Sequence, residues 1–378
     1  MNRLVLIGNG FDLAHGLKTS YADFINWYWE EWGKRIMVEK KYKKEDEFCS
    51  FELGNKYGIG NWYLVKGLYF QDINMNAREF IQKVKMDSNL CSFKYKSPFF
   101  ERINKQIESK GWVDIENEYY TMLVNEKGFG NRYYHLNMQL EFLRNKLIEH
   151  LKQENNKELV AIEEIKDKLY CPIKPEEIAV ADKKNILGIA EIATGILLDK
   201  KEWPPSRIML LNFNYTDTLK YYIGKHSNVT INHIHGHIGT PDSVIFGYGD
   251  ELDREFPRLK ELNDNECLRH VKSIRYLESD RYRNMLEFLE SEPFQVCIIG
   301  HSCGNSDRTL LNTIFEHPNC ISIKPYYYIN EKQEDNYLEL VQNIYRNFTD
   351  LKRMRDRVVN KEYCEPLIGV KPGVIVMG

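Results

Sequence analysis

Five short clusters in this chain carry residue types that do chemistry, and each follows an apolar, strand-like run. They are Gly8-Asn9-Gly10-Phe11-Asp12, Asn212-Phe213-Asn214-Tyr215, His233-Ile234-His235-Gly236-His237, Gly247-Tyr248-Gly249-Asp250 and Gly300-His301-Ser302. Two glycines in the first cluster let backbone approach a phosphate at a helix N-terminus. Leu13 occupies the third glycine position of the dinucleotide fingerprint, so that motif is incomplete. Asp12 would repel a phosphate and suits a ribose hydroxyl better. On an extended strand the alternation of His233, His235 and His237 turns all three imidazoles to one face. That face reads as a general base, as a metal site or as structural histidines. No carboxylate is woven through the run, so a metal is not expected. Gly300-His301-Ser302-Cys303-Gly304 matches a nucleophile elbow, which needs an acid and then a histidine downstream. Only His317 follows, just past the helix beginning at the elbow, so Ser302 reads as a ligand-binding hydroxyl. Asp114 and Glu116 stand two apart on a helix, do not face each other, and read as capping and surface charge.

The elements that must position these clusters follow from hydrophobic period. RLVLIG at 3–8 is a continuous apolar run, the pattern of a strand buried on both faces. A tight turn and a helix over about 21–32 come next, and the lysine- and aromatic-rich stretch 39–75 reads as a loop or insertion. From about 77 to 200 apolar residues recur at helical spacing almost throughout. SRIMLLNFN, VTINHIHGHI, SVIFGYG, FQVCIIGHS and NCISIKPYYY are then β-rich runs separated by helical stretches. Strands alternating with helices imply parallel βαβ units. The fold expected is α/β: an open, mostly parallel Rossmann-like sheet with a large helical insertion. The α/β domain is split between 1–35 and 205–360, with 36–204 as the insertion, and the tail IGVKPGVIVMG reads as an edge strand or a loose end. Such sheets bind ligands outside the carboxyl ends of their strands, where the five clusters lie.

Composition narrows the partners. The 378 residues carry a net charge of −3, so no global field draws the chain to nucleic acid or an anionic surface. No apolar run approaches the roughly 18 residues that span a bilayer. The 24 tyrosines read as packing, since stacking platforms for bases come with a basic track. Eight scattered cysteines include no Cys-x-x-Cys pair, and several fall in apolar strands. These features point to free thiols and a cytoplasmic protein. The expected partner is a nucleotide ligand; a homo-oligomer is left open, and neither membrane nor nucleic acid is expected.

Taken in order, LVLIGNGFDLAHGLKTSYADF, WVDIENEY, LNFNYTDTL, HIHGHI, IFGYGD and IIGHSCGNSD resemble the AbiH family of bacterial anti-phage, abortive-infection proteins, from residue 4 to about 310. Four of the motifs resemble, more distantly, the sirtuin-like NAD-binding domains of other defence proteins. The matching positions are Gly8, Gly10, Asn214, His235, Gly300, Ser302 and Asp307. That resemblance implies Asn214 as positioner of ribose or water and His235 as catalytic base. It implies a nucleotide contacted by Gly8, Asn9, Gly10, Asp12, Gly300, Ser302 and Asp307. NAD would be the substrate, cleaved at the nicotinamide–ribose bond through an oxocarbenium-like state. The chain departs from the pattern at Asn9 and Asp12, which replace small residues, and at Thr216, which stands in place of Asp. The sirtuin zinc cysteines are missing, which argues against protein deacetylation. Two other classes stay open: a metal-dependent nuclease or phosphohydrolase, and a nucleotide sensor without turnover that signals through the helical insertion.

Overall fold

The computed structural model describes residues 1–39, 43–53, 79, 91–125, 131–183, 186, 203–223 and 228–369. The chain opens with strand β1 (Asn2–Ile7), every residue of which is buried, and helix α1 (Asn9–Ala14). Helix α2 (Tyr21–Glu39) follows, then strands β2 (Lys43–Glu45), β3 (Cys49–Leu53) and β4 (Cys91–Tyr95). Helices α3 (Pro98–Lys110), α4 (Ile115–Asn125), α5 (Arg132–Asn155) and α6 (Glu163–Tyr170) complete the middle of the chain. Beyond it lie β5 (Ile208–Asn212), β6 (Val229–His233), α7 (Phe256–Glu261), α8 (Lys272–Arg275) and α9 (Arg281–Ser291). The last elements are β7 (Phe294–Ile299), α10 (Arg308–Phe315), β8 (Cys320–Tyr326), α11 (Tyr337–Arg346) and α12 (Leu351–Arg357).

Five strands form one parallel sheet in the order β6-β5-β1-β7-β8. The register aligns their carboxyl ends: Ile7 pairs with Asn212 and Ile299, Asn212 with His233, and Ile299 with Tyr326. Sequence order runs outward from β1 both ways, which opens a crevice at the switch point. Alternate residues serve opposite faces. Leu4, Leu6, Leu211, Val296 and Ile298 pack on one side beneath α9, α10 and α11. Val5, Ile7, Leu210, Cys297 and Ile299 pack on the other with Ile165 and Leu169 of α6.

A separate core joins α2–α5 to the segment around Ile238–Val271, built largely of aromatic rings. Ser97 caps α3 by accepting from Phe100 N, and Gly111 closes that helix. This middle stretch is not wholly helical. β2, β3 and β4 make a three-stranded antiparallel sheet, with Phe51 paired to Phe93, so 91–95 is strand where a helix was expected. Its alternating CSFKY places Phe93 against the aromatic core, a period-2 signal too short to outweigh helical neighbours. SVIFGYG is also not a strand. It forms a buried loop that makes one bridge, Tyr248 to Val271. The helical reading of 187–199, most of REFIQKVK and the tail beyond 369 lie outside the described residues.

Candidate active site

The loops after β1, β5, β6 and β7 meet over the carboxyl ends of the sheet. They enclose a cleft of about 880 Å³. The nine residues given a catalytic or binding role from the sequence line it (Gly8, Asn9, Gly10, Asp12, Asn214, His235, Gly300, Ser302 and Asp307), whereas His233, His237 and the Gly247-Tyr248-Gly249-Asp250 cluster do not. Two loops cross at its centre. Gly10 N donates to Gly300 O at 2.8 Å and Gly8 N to Ile299 O at 3.1 Å. A Cβ on Gly300, whose φ is +68°, would lie 2.2 Å from Phe11 N, and one on Gly8 would lie 2.4 Å from His301 Cα. These glycines therefore let backbone cross backbone. The Gly10 amide is spent on that crossing and does not face outward as a phosphate cradle. Asn214 fastens the same turn, its Nδ2 donating to Gly8 O at 3.0 Å.

The histidine run does not present one face. β6 ends at His233, and Gly236 turns the chain at φ +86°, where a Cβ would lie 2.0 Å from Ser243 O. Extended alternation stops there, and His235 parts from the other two imidazoles. His233 and His237 meet edge-to-face at 4.9 Å between ring centroids, with His237 Nε2 on Asp217 Oδ1 at 2.5 Å. His235 turns into the cleft wall beside Phe213 and Tyr276. Among the described residues no group of three or more His, Cys, Asp or Glu is arranged to hold a metal ion.

Behind His235 lies a buried charge cluster. Lys272, 1% exposed, donates to Asp307 Oδ1 at 2.8 Å and to Glu116 Oε2 at 3.0 Å. His235 Nε2 lies 3.2 Å from the same Asp307 oxygen and His301 Nε2 lies 3.7 Å from the other. Glu116 also accepts from Gly247 N at 3.1 Å, which pins helix α4 of the middle stretch to the loop after β6. Burial alone would raise the Asp307 carboxyl, but Lys272 and His235 hold it well below the usual range. Glu116 goes the other way. Burial, outweighing Lys272 and reinforced by the charges of Asp307 and Asp114, pushes it up to about 7. Burial, with Lys272 nearby, lowers the His235 pKa, so its ring is neutral at pH 7. His235 Nε2 pairs with Tyr276 Oη at 3.1 Å beside Asp307 Oδ1, and with the proton on that nitrogen Nδ1 is the basic one.

Two residues of this cluster escaped the sequence reading. Glu116 is not surface charge; it is buried and lines the cleft, while Asp114 does cap α4, accepting from Asn117 N at 3.0 Å. Its signal was its place in the Trp112–Glu116 motif. Lys272 had none, since a lone lysine in a polar helix reads as solvated. Ser302 is exposed at the mouth of the cleft, and the left-handed residue of its turn is the next one, Cys303, at φ +54°. A nucleophile elbow would strain the serine itself, so the hydrolase resemblance ends there.

A family model described as bacteriophage abortive infection AbiH matches residues 4–328. The chain belongs to the AbiH family. Membership ties this protein to abortive infection, the function the motif order implied. No curated protein and no solved structure matches the chain. Two positions where this AbiH chain departs from the sirtuin-like pattern meet in the cleft: Thr216 Oγ1 donates to Asp12 Oδ2 at 2.6 Å. Among the described residues no helix is long and apolar enough to cross a membrane. Seven described cysteines are free.

Proposed function

We propose that this AbiH protein acts in abortive infection by hydrolysing an N-glycosidic bond of a ribosyl nucleotide, with NAD the substrate class it fits. One observation carries the reading. Glu116, a buried carboxyl that changes charge near neutrality, lines a cleft beside a neutral histidine whose Nε2 is held by Tyr276 Oη with Asp307 next to it. The acids lining the cleft are Asp12, Asp114, Glu116, Asp307 and Glu339, against Arg346. Such a floor suits positive charge: a cationic nicotinamide in the ground state and a ribosyl oxocarbenium in the transition state.

The bond between the nicotinamide nitrogen and ribose C1′ breaks, and its electron pair leaves with neutral nicotinamide. Ionised Glu116 faces the positive charge that develops on the ribosyl ring. Water forms the new C1′–O bond and gives its proton to His235 Nδ1, yielding ADP-ribose and, after release, one proton. Lys272 and Asp307 are positioning residues that orient Glu116 and His235. Asn214 acts through the Gly8 turn. A positioned base of this kind contributes about 10²–10⁴-fold.

The test is chromatography of purified protein incubated with NAD, with EDTA or with added magnesium or manganese. Equimolar nicotinamide and ADP-ribose, insensitive to EDTA, are expected. Glu116→Gln and His235→Ala should fall about 10²-fold or more while remaining folded. Intact NAD under all conditions contradicts the proposal. Activity that appears only with metal points instead to metal-dependent phosphohydrolase chemistry.

A further inference from the structure

Asp12 is 1% exposed, lines the cleft and takes no part in the Lys272 cluster. Its Oδ2 accepts from Thr216, while Oδ1 is buried with no hydrogen-bond partner at normal geometry among the described residues. A carboxylate oxygen stripped of water and left unpaired is costly, and in the wall of a cleft a ligand hydroxyl can complete it. Among the described residues the neighbouring donors are turned elsewhere: Thr218 Oγ1 donates to Thr216 Oγ1 at 3.3 Å and Asn214 Nδ2 to Gly8 O at 3.0 Å. His15, the nearest cation-forming group on the same turn, has both ring nitrogens engaged, by Phe11 O at 2.7 Å and Tyr222 Oη at 2.6 Å. Nor is the side chain a helix cap: Gly8 is the N-cap of α1, with no side-chain capping bond. The turn that follows is tied by the Asp12 backbone carbonyl, which accepts from His15 N and Leu17 N. Burial holds the carboxyl above its usual range, as for a group awaiting a partner.

We propose that Asp12 reads a ribose hydroxyl on the ligand through Oδ1, and so admits nucleotides with that hydroxyl free and rejects those that carry a phosphate on it. This rests on the ribosyl-nucleotide reading above. His235 and Glu116 take the ribose that is cleaved, which leaves Asp12 for the second ribose of a dinucleotide and its 2′-hydroxyl. A hydroxyl donates to the orphan oxygen and restores the hydrogen bond lost on burial. A phosphate monoester brings like charge against it in a low-dielectric wall.

The probes are ADP-ribose and 2′-phospho-ADP-ribose, which the protein does not turn over, titrated calorimetrically into wild type and Asp12→Asn. Wild type should bind ADP-ribose at least tenfold more tightly than its 2′-phosphate, and Asp12→Asn should bring the two within about twofold. Without ligand, Asp12→Asn should melt at or above the wild-type temperature, because it removes an unpaired buried charge. A lower melting temperature makes the carboxylate structural and overturns the proposal. Retained preference in Asp12→Asn overturns it too, while nicotinamide release by that variant would leave the hydrolase reading standing. Failure of wild type to bind either probe overturns the assignment, and nicotinamide release from NAD then decides the catalytic reading separately.

Discussion

Replacing Lys272 with Met removes the ammonium that bridges Glu116 and Asp307 while keeping a side chain of similar length. Both carboxylates stay buried, and each loses a donor at about 3 Å. Removing one partner of a buried ion pair costs about 3–5 kcal/mol, because an uncompensated charge is left behind. Near the melting point, a chain of 378 residues unfolds with roughly 0.8 kcal/mol/K of entropy, so the midpoint should drop by about 4–6 °C. The deficit should depend on pH, and its sign is fixed by proton linkage. Glu116 titrates near 7 in the folded protein against 4.5 as an ordinary side chain, so the folded state binds the extra proton between those values. Its contribution to stability is therefore fullest at low pH and falls as pH rises through that window. Without Lys272 the Glu116 carboxyl rises further, Asp307 loses the charge that holds it low, and the window widens upward. Each added unit is worth about 1.4 kcal/mol. Urea unfolding followed by tryptophan fluorescence at pH 5 and pH 8 measures this directly. The Lys272→Met deficit should be larger at pH 8, and Lys272→Met with Glu116→Gln should recover most of it. A deficit under about 1 kcal/mol, or one equal at both pH values, refutes the buried-cluster account.

Two further outcomes follow from the same geometry. Gly300→Ala puts a Cβ 2.2 Å from Phe11 N at a positive φ and should destabilise by about 3 kcal/mol or more, whereas Gly304→Ala, with 3.6 Å to Ser302 Oγ, should cost under about 1 kcal/mol; thermal unfolding of the pair checks it. NAD hydrolysis should rise with pH through about 7 as Glu116 ionises, and a pH–rate profile of Glu116→Gln should lose that limb.

The sheet was legible because its strands are buried on both faces and read as unbroken apolar runs, as in LVLI of β1 and VCII of β7. Convergence of the site followed from one rule about parallel sheets, and it placed Asp12, Asn214, His235 and Ser302 in one cleft although up to 290 positions separate them. What failed was local. Alternation in HIHGH predicted a continuing strand, but Gly236 takes a left-handed turn that period-2 patterning does not encode. SVIFGYG has strand composition, yet Gly247 packs against His270 O so closely that a Cβ there would lie 2.0 Å away, and the segment becomes a buried loop. The Glu116–Lys272 contact joins residues 156 positions apart on two polar helices. The motif around Glu116 marks the segment but not the burial of its charge, because the partner that makes burial tolerable is supplied only by the fold.

If the buried cluster at the floor of the cleft performs the anti-phage function, phage protection depends on Glu116 and His235. The most direct measurement is plating efficiency of phage on bacteria carrying wild type, Glu116→Gln or His235→Ala, with folded protein matched by melting temperature and abundance. Wild type should protect, and both variants should restore plaques to the level of cells without the gene. Full protection by either variant would contradict the account and move the function away from this cleft.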